Sequence, residues 1–236
     1  MRLLKWLVLG VVVVVGLAFA GWYFFLKSDP EPRAAIKETP IVTSTTVAGQ
    51  DSTDSSSVLD GNWKVEPGNP QNFVGYRVTE KLVANISESE ATGRTDNVTA
   101  SMTIDGTTVK DVTVTADLRD LQSDNSFRDG RIRSDGLESD DFPEAKFVLS
   151  EPLTLSAVPA AGETINTEAK GKFTLHGVTK DVTIRLEGRW DGKQVQVVGS
   201  MPIAFGDYGV SAPSAPAVAS VDDNGEMELQ LFFDRS

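Results

Sequence analysis

Apolar and polar residues alternate along many short segments of this 236-residue chain. Successive side chains of a β-strand point to opposite faces, so a period of two gives each strand one apolar face. This pattern is typical of antiparallel sheets that are buried on one side. The alternating runs lie at residues 63–65, 74–78, 102–104, 112–118, 165–175, 182–187, 195–197 and 227–233.

Turn signals separate these runs, at Asp105-Gly106, His176-Gly177, Asp191-Gly192 and Asn224-Gly225. Pairs of this kind supply the positive φ angles of a tight hairpin turn. The pattern predicts about eight strands, enough to close a barrel that holds side chains or one elongated ligand. Two irregular segments, 125–141 and 205–225, interrupt the alternation, and we expect a short helix in the first.

An uncharged and mainly apolar stretch, residues 6–26, lies near the N-terminus. As a helix with a rise of about 1.5 Å per residue, it is long enough to span a bilayer core of roughly 30 Å. Arg2 and Lys5 precede it, so the positive-inside rule places the short N-terminal end in the cytoplasm and the remainder outside. The small-x-small pattern Ala18-Phe19-Ala20 leaves a cleaved secretory signal open. The anchor is favoured because the apolar run continues past Ala20.

The sequence thus predicts three parts and a single-pass protein of the cell membrane with an extracytoplasmic domain. These are a cytoplasmic end with a transmembrane signal-anchor (1–27), a disordered linker rich in Pro, Ser, Thr and acids (28–57), and a barrel domain (58–236). If the chain is cleaved after Ala20, the domain is secreted instead.

The charge balance and the missing cysteines exclude several functions. The net charge is -12, and residues 1–27 hold three of the 22 basic residues and no acid, which leaves 19 basic against 34 acidic groups beyond them. Such acidity argues against nucleic acid and against adhesion to anionic lipid. The absence of cysteine excludes disulfides, thiolate catalysis and cysteine-ligated metals.

A hairpin sequence and three further motifs carry a family resemblance. The hairpin is Gly171–Val182 (GKFTLHGVTKDV); Arg128-Asp129 with Arg133-Ser134, then Phe142–Phe147 (FPEAKF), precede it, and Asp207–Val210 (DYGV) follows. In this order they resemble the motifs of the YceI-like polyisoprenoid-binding family. The hairpin resembles that family's G-x-L-T-x-H-G-V-T-K-x-V, and the match extends over about 60–236.

The resemblance implies an extended, lipocalin-like antiparallel barrel of eight strands with one or two short helices, here preceded by a single transmembrane helix. It also implies binding of an isoprenoid lipid, a polyprenyl chain or an isoprenoid quinone, without catalysis or any other cofactor. Alternation by itself favours a solid interior, and the resemblance favours a cavity. The expected lining residues are Tyr76, Val78, Val112, Val114, Phe142, Phe147, Phe173, Leu175, Val182, Ile184, Tyr208, Leu229 and Leu231.

Three polar side chains, Arg128, Arg131 and His176, are candidate contacts for a lipid head group. An arginine fork suits a phosphate or quinone oxygen, but local ion pairing is the favoured interpretation of the arginines. His176, the only histidine, is favoured as a turn residue. One histidine without cysteine gives no metal-ligand spacing, and we expect no metal.

Two other functions stay open. The first is an envelope stress or interaction module with a filled barrel and no bound lipid, and the second is an enzyme acting through His176. Recognised nucleophile, zinc-protease and phosphate-loop motifs are missing from the sequence, so we predict that the protein is not an enzyme. Whether it forms a homodimer is also left open.

Overall fold

The computed structural model describes residues 12–14, 30–37, 58–82, 88–213 and 218–236. Within these residues no helix has the length and apolar character needed to cross a membrane. The predicted span at 6–26 lies outside the described residues, apart from the helical residues 12–14.

The described chain is mainly β-structure, and eight of its twelve described strands lie on the alternating runs of the sequence. The twelve strands are β1 (Gly61–Val65), β2 (Phe73–Leu82), β3 (Glu88–Thr95), β4 (Val98–Asp105), β5 (Thr108–Asp117), β6 (Gln122–Ser123), β7 (Glu144–Leu149), β8 (Leu153–Thr154), β9 (Thr164–Leu175), β10 (Val178–Trp190), β11 (Val195–Ala204) and β12 (Val218–Arg235).

Eight of these strands close an antiparallel barrel, as predicted. The order is β1-β4-β5-β7-β9-β10-β11-β12, and β12 returns to β1 through the pairs Trp63–Arg235 and Lys64–Asp234. The N-terminal part of β12 pairs with β2 instead of β1, and β3 and β6 follow β2 in the sheet. The short β8 pairs with β5. The long β12 therefore joins the closed barrel to a second sheet wall.

Short helices cover the end of the barrel where β2 and β3 replace β1 and β4. α1 (Ser126–Arg131) is capped by Asn125, whose side-chain oxygen accepts hydrogen bonds from the backbone N–H groups of Phe127 and Arg128. A π-helical turn follows at Ile132–Gly136. Asparagine at this position satisfies orphan donors of the first turn. Turns of 3₁₀ helix lie at Leu118–Asp120 and Phe205–Tyr208. The helix expected within 125–141 is confirmed.

Two glycine-dependent features shape the β9–β10 hairpin. His176 and Gly177 adopt φ angles of 49° and 73°, which gives the left-handed turn that the sequence predicts. Further along β9, a Cβ on Gly171 would lie 2.4 Å from the ring of Phe147 on the neighbouring β7. The glycine therefore allows the aromatic ring to lie directly on the backbone of the next strand.

One predicted turn is wrong. Asn224-Gly225 lies inside β12 rather than in a hairpin, because β12 stays paired with β2 on both sides of it. The pairing register shifts between Val221 and Gly225, so the extra residues form a bulge. A bulge uses the same permissive residues as a turn but bends the strand without reversing it.

The core fills the barrel from the end where β12 meets β1. Trp63, Leu231 and Phe233 are almost fully buried there, and the Trp63 indole N–H donates to the carbonyl oxygen of Leu59 over 2.9 Å. The guanidinium of Arg235 lies 5.1 Å from the Trp63 ring centroid on the other side. The Trp63 ring is thus anchored at this end of the barrel by a hydrogen bond and a cation–π contact.

Residues 30–37, which we call the strap, run across the outer face of the barrel without secondary structure of their own. They belong to the stretch predicted as a disordered linker. The rest of 28–57 lies outside the described residues, so that prediction stays open there. Side chains of the barrel hold the strap, and for this reason its own sequence carries no structural signal.

Candidate functional site

The interior of the barrel contains an apolar cavity of about 120 Å³, which we call the main cavity. Its lining comes from the inward side chains of β4, β5, β7 and β9–β12, together with loop residues around Gly106 and Pro159 at one end. Among the described residues that line it, only Thr167, Arg189 and Trp190 carry a polar side-chain group. Such a lining suits a hydrocarbon and offers little to a polar ligand.

A smaller cavity of about 40 Å³ continues along the barrel axis. Val114, Phe147, Ile184 and Leu229 line both cavities and so form the partition between them. Ala116, Ala145, Met201 and Met227 also line the smaller cavity, so its lining is mainly apolar as well.

Seven of the thirteen predicted lining residues face a cavity. Six line the main cavity, and Phe173 lines the smaller one. The six are Val112, Val114, Phe147, Ile184, Leu229 and Leu231.

The other predicted lining residues, Tyr76, Val78, Phe142, Leu175, Val182 and Tyr208, border neither cavity. Phe142 contacts the His176 ring, with 4.3 Å between ring centroids, and Tyr208 meets Phe173 edge-on at 5.6 Å. These side chains pack the covered end of the barrel. Alternation predicts which face a residue is on, but not how far along the barrel axis it lies.

Several lining residues were missed, although they lie in runs that the alternation had marked. Met102, Ile104, Ile165, Val195, Val197 and Phe233 are of this kind. Leu59, Leu153, Leu155 and Pro159 lie outside the long strands, and only their proximity in the fold brings them to the cavity.

Arg128 lies away from both cavities, in a buried ion pair. It donates to Glu80 of β2 over 2.9 Å and is also paired with Asp124. Burial alone would lower the pKa of Arg128, but the neighbouring carboxylates of Glu80 and Asp124 raise it. Arg131 is likewise paired with Asp135, at 2.7 Å. Both arginines therefore make the local ion pairs that the sequence favoured, and Arg128 fastens α1 to β2.

The Tyr76 hydroxyl lies next to this ion pair. It is buried and has no hydrogen-bond partner among the described residues. Burial raises the pKa of Tyr76 well above its ordinary value, so the group is a neutral phenol. Its ring packs on Gly93 of the neighbouring strand, where a Cβ would approach it to 2.4 Å.

His176 is held at the hairpin turn by both ring nitrogens. Nε2 lies 2.9 Å from the Glu138 carboxylate, and Nδ1 lies 3.3 Å from the carbonyl oxygen of Tyr208. These contacts join the hairpin to two neighbouring loops, which is a structural role. Within the described part of the chain, no three histidine or carboxylate side chains are grouped to hold a metal ion.

Comparison with solved structures finds proteins with a similar barrel fold. A polyisoprenoid binding domain from Saccharophagus degradans matches with a TM-score of 0.59 at 18% identity, covering 75% of this chain and 99% of that one. BcnA of Burkholderia cenocepacia matches with a TM-score of 0.50 at 18% identity, covering 68% and 94%. At this identity the likeness concerns the fold.

Sequence relatives and a family profile agree with this fold. A UPF0312 protein of Shewanella denitrificans is 32% identical over 148 residues, 59% of this chain and 74% of that protein. One from Pseudomonas putida is 26% identical over 170 residues, 68% and 82%. The YceI-like domain profile matches residues 63–233, nearly the whole barrel. The chain therefore belongs to the YceI-like domain family.

Proposed function

We propose that this protein binds an isoprenoid lipid, a polyprenyl chain or an isoprenoid quinone, with the tail inside the barrel. The observation that carries the proposal is the apolar main cavity inside a closed barrel. The S. degradans protein of the same fold is a polyisoprenoid binding domain, which supports the choice of ligand class. The proposed role is transport, storage or sequestration of the lipid, and it requires no catalytic residue.

The size of the cavity places a condition on binding. A volume of about 120 Å³ is smaller than the roughly 300–1,000 Å³ of sites for drug-sized ligands. Each isoprene unit carries five carbons, so its burial contributes about 4 kcal/mol at roughly 0.8 kcal/mol per carbon. Association costs about 4–15 kcal/mol. Several units must therefore be buried before binding is tight.

The partition between the two cavities is where this extra room arises. Phe147 and Leu229 belong to it, and a change of rotamer in these side chains would join the main and the smaller cavity. A linear tail then lies along the barrel axis, with one end near Gly106 and the other near Met227. The four-residue partition is thus the position at which tail length is selected.

Membrane attachment is the second part of the proposal. The apolar stretch 6–26 is long enough to span a bilayer, and the positive charges before it orient the barrel to the extracytoplasmic side. In this arrangement the bilayer supplies the lipid and the barrel shields its tail from water. The anchor, rather than surface charge, holds the acidic domain at the membrane.

Lipid analysis of the purified protein tests the binding. Residues 28–236, which retain the strap, are purified without detergent and measured by native mass spectrometry, and the bound material is extracted and identified. We expect about one isoprenoid per chain. An empty, folded protein that also rejects added polyprenyl lipids and quinones contradicts the proposal.

A pair of substitutions locates the ligand. Ile184→Gln places an amide at the partition between the cavities, and we expect it to abolish loading. Val148→Gln is the matched control, because Val148 is 39% exposed on the outside of the barrel. Equal lipid content in the two variants would show that the tail lies elsewhere.

A further inference from the structure

The strap lies in a groove on the outside of the barrel, across β3, β2, β12 and β11. At its start the backbone N–H of Glu31 donates to the Thr92 hydroxyl over 3.0 Å. At its end the backbone N–H of Lys37 donates to the side-chain oxygen of Gln196 over 2.9 Å. Its two ends are therefore fixed on different strands.

Between these ends, charged side chains of the barrel bind the main chain of the strap. Arg77 donates to the carbonyl oxygen of Glu31, and Arg94 donates to the next carbonyl oxygen. The Glu228 carboxylate accepts a hydrogen bond from the Ala34 N–H over 3.3 Å. Hydrogen bonds that involve an ionised group are the stronger kind.

Gln196 binds the strap as a neighbouring strand would. Its amide N–H donates to the carbonyl oxygen of Ala35 over 3.0 Å, while its amide oxygen accepts from Lys37 two residues further on. One side chain thus satisfies an acceptor and a donor of an extended peptide. The Lys37 ammonium also lies 5.6 Å from the ring centroid of Phe232.

The groove contains a buried ion pair on a surface that faces outward. Met227 and Leu229 point to the interior, so Glu228 between them points away from it, yet Glu228 is only 4% exposed and its partner Arg77 only 3%. Their side chains are 3.1 Å apart. Burying charged groups is unfavourable unless every one is paired and hydrogen-bonded. Arg94 also donates to Glu228 over 2.7 Å, and the backbone of the strap supplies further partners for both charges.

Side-chain charge adds selectivity to these main-chain contacts. Arg33, the central residue of the strap, is paired with Glu226 of β12 and with Glu90 of β3. Arg77 and Glu228 lie beside these carboxylates. The groove therefore suits an extended peptide that carries a cation at its centre.

We propose that this outer groove is a peptide-binding site whose own ligand is the strap, and that docking of the strap sets how far the barrel can move from the membrane. The second half of the proposal rests on the membrane anchor proposed above. With the strap docked, only four peptide steps separate Leu26 from Pro30, a reach of at most about 14 Å. With the strap released, the chain from Leu26 to Val58 reaches up to about 110 Å.

Hydrogen exchange on the full chain in detergent micelles tests docking. The informative amides are those of Glu31 and Ala34, because Gln196→Ala leaves their acceptors in place. Removing the two Gln196 hydrogen bonds should lower the protection of both amides about 10- to 100-fold, at roughly 1 kcal/mol for each bond. Gln230→Ala is the matched control, since Gln230 is equally buried but donates to the carbonyl oxygen of Gln71 within the barrel.

Two results of this experiment would overturn the docking site. One is free exchange of the Glu31 and Ala34 amides in the unmodified protein. The other is an equal loss of protection in Gln196→Ala and Gln230→Ala, which would indicate a general loosening of the barrel.

The reach is tested separately in lipid nanodiscs. The chain has no cysteine, so Lys172→Cys provides a single labelling site on the outside of the barrel for energy transfer to a dye among the lipid head groups. We expect Gln196→Ala to lower the transfer and Gln230→Ala to leave it unchanged. Unchanged transfer in both variants overturns the role in reach. A chain that does not enter nanodiscs at all refutes the proposed anchor, and the exchange result is unaffected.

Discussion

Substitution of Ala169 by leucine distinguishes a barrel with a cavity from a solid one. Ala169 lies on β9, is 2% exposed and lines the main cavity. Leucine adds three carbons, which contribute about 2.4 kcal/mol of stabilisation if they fill existing space, at roughly 0.8 kcal/mol per carbon. In a solid interior the same carbons cause overpacking, which costs about 1–3 kcal/mol. A barrel with a cavity and a solid barrel therefore predict changes in stability of opposite sign.

Thermal unfolding of the lipid-free protein measures this sign. A domain of this size shifts its melting temperature by roughly 2–4 °C for each kcal/mol. We therefore expect Ala169→Leu to melt about 5–10 °C above the unmodified protein. The same variant should lose isoprenoid binding, because the new side chain occupies the volume of the tail. Higher thermal stability together with less bound isoprenoid would show that the added side chain occupies the space of the lipid tail.

Ala91→Leu is the control for this experiment. Ala91 is 1% exposed on β3 but borders neither cavity, so added carbons have no space and the melting temperature should fall. If Ala169→Leu lowers the melting temperature as much as Ala91→Leu does, the barrel is solid. Lipid binding inside it would then be refuted.

Three further predictions concern the covered end of the barrel and the strap. Arg128→Ala should cost about 3–5 kcal/mol in urea unfolding because it leaves the Glu80 carboxylate buried and unpaired, and adding Glu80→Gln should recover part of this. Tyr76→Phe should stabilise by about 1–3 kcal/mol, since its hydroxyl is buried without a partner, and a clear loss of stability would contradict that geometry. Burial alone would raise the pKa of Glu226, but hydrogen bonds from Arg33 and a serine hydroxyl lower it below its ordinary value of 4.5. The contribution of this ion pair to docking is thus present above pH 4.5 and lost as the pH falls through the lowered pKa, so the protection of the Ala34 amide, relative to an unstructured amide at the same pH, should fall there.

The sequence predicted the barrel well because alternation is a local property of each strand. It placed Ile184 and Leu229 on inward faces, and both line the cavities. It could not tell these from Val78, which also faces the interior but lies at the end covered by α1. That distinction depends on where β12 exchanges β1 for β2, which is a long-range pairing.

The strap was missed for a different physical reason. Its residues have no apolar period, and their hydrogen bonds go to side chains far away in sequence. The only local signal lies in β12, where Glu228 and Gln230 occupy outward positions that look solvated in the sequence. Both are buried in the fold: the docked strap covers Glu228, whereas Gln230 donates to the carbonyl oxygen of Gln71.

Two consecutive residues of β12 allow lipid binding in the cavity and docking of the strap to be tested separately. Leu231 points into the main cavity, whereas Phe232 points outward beneath Lys37. Leu231→Ala should cost about 2–5 kcal/mol and change the lipid that is bound, while the strap amides keep their protection. Phe232→Ala should lower the protection of the strap amides and leave the lipid content unchanged. If both variants changed both properties together, cavity and groove could not be independent sites, and a single distortion of β12 would explain the two results.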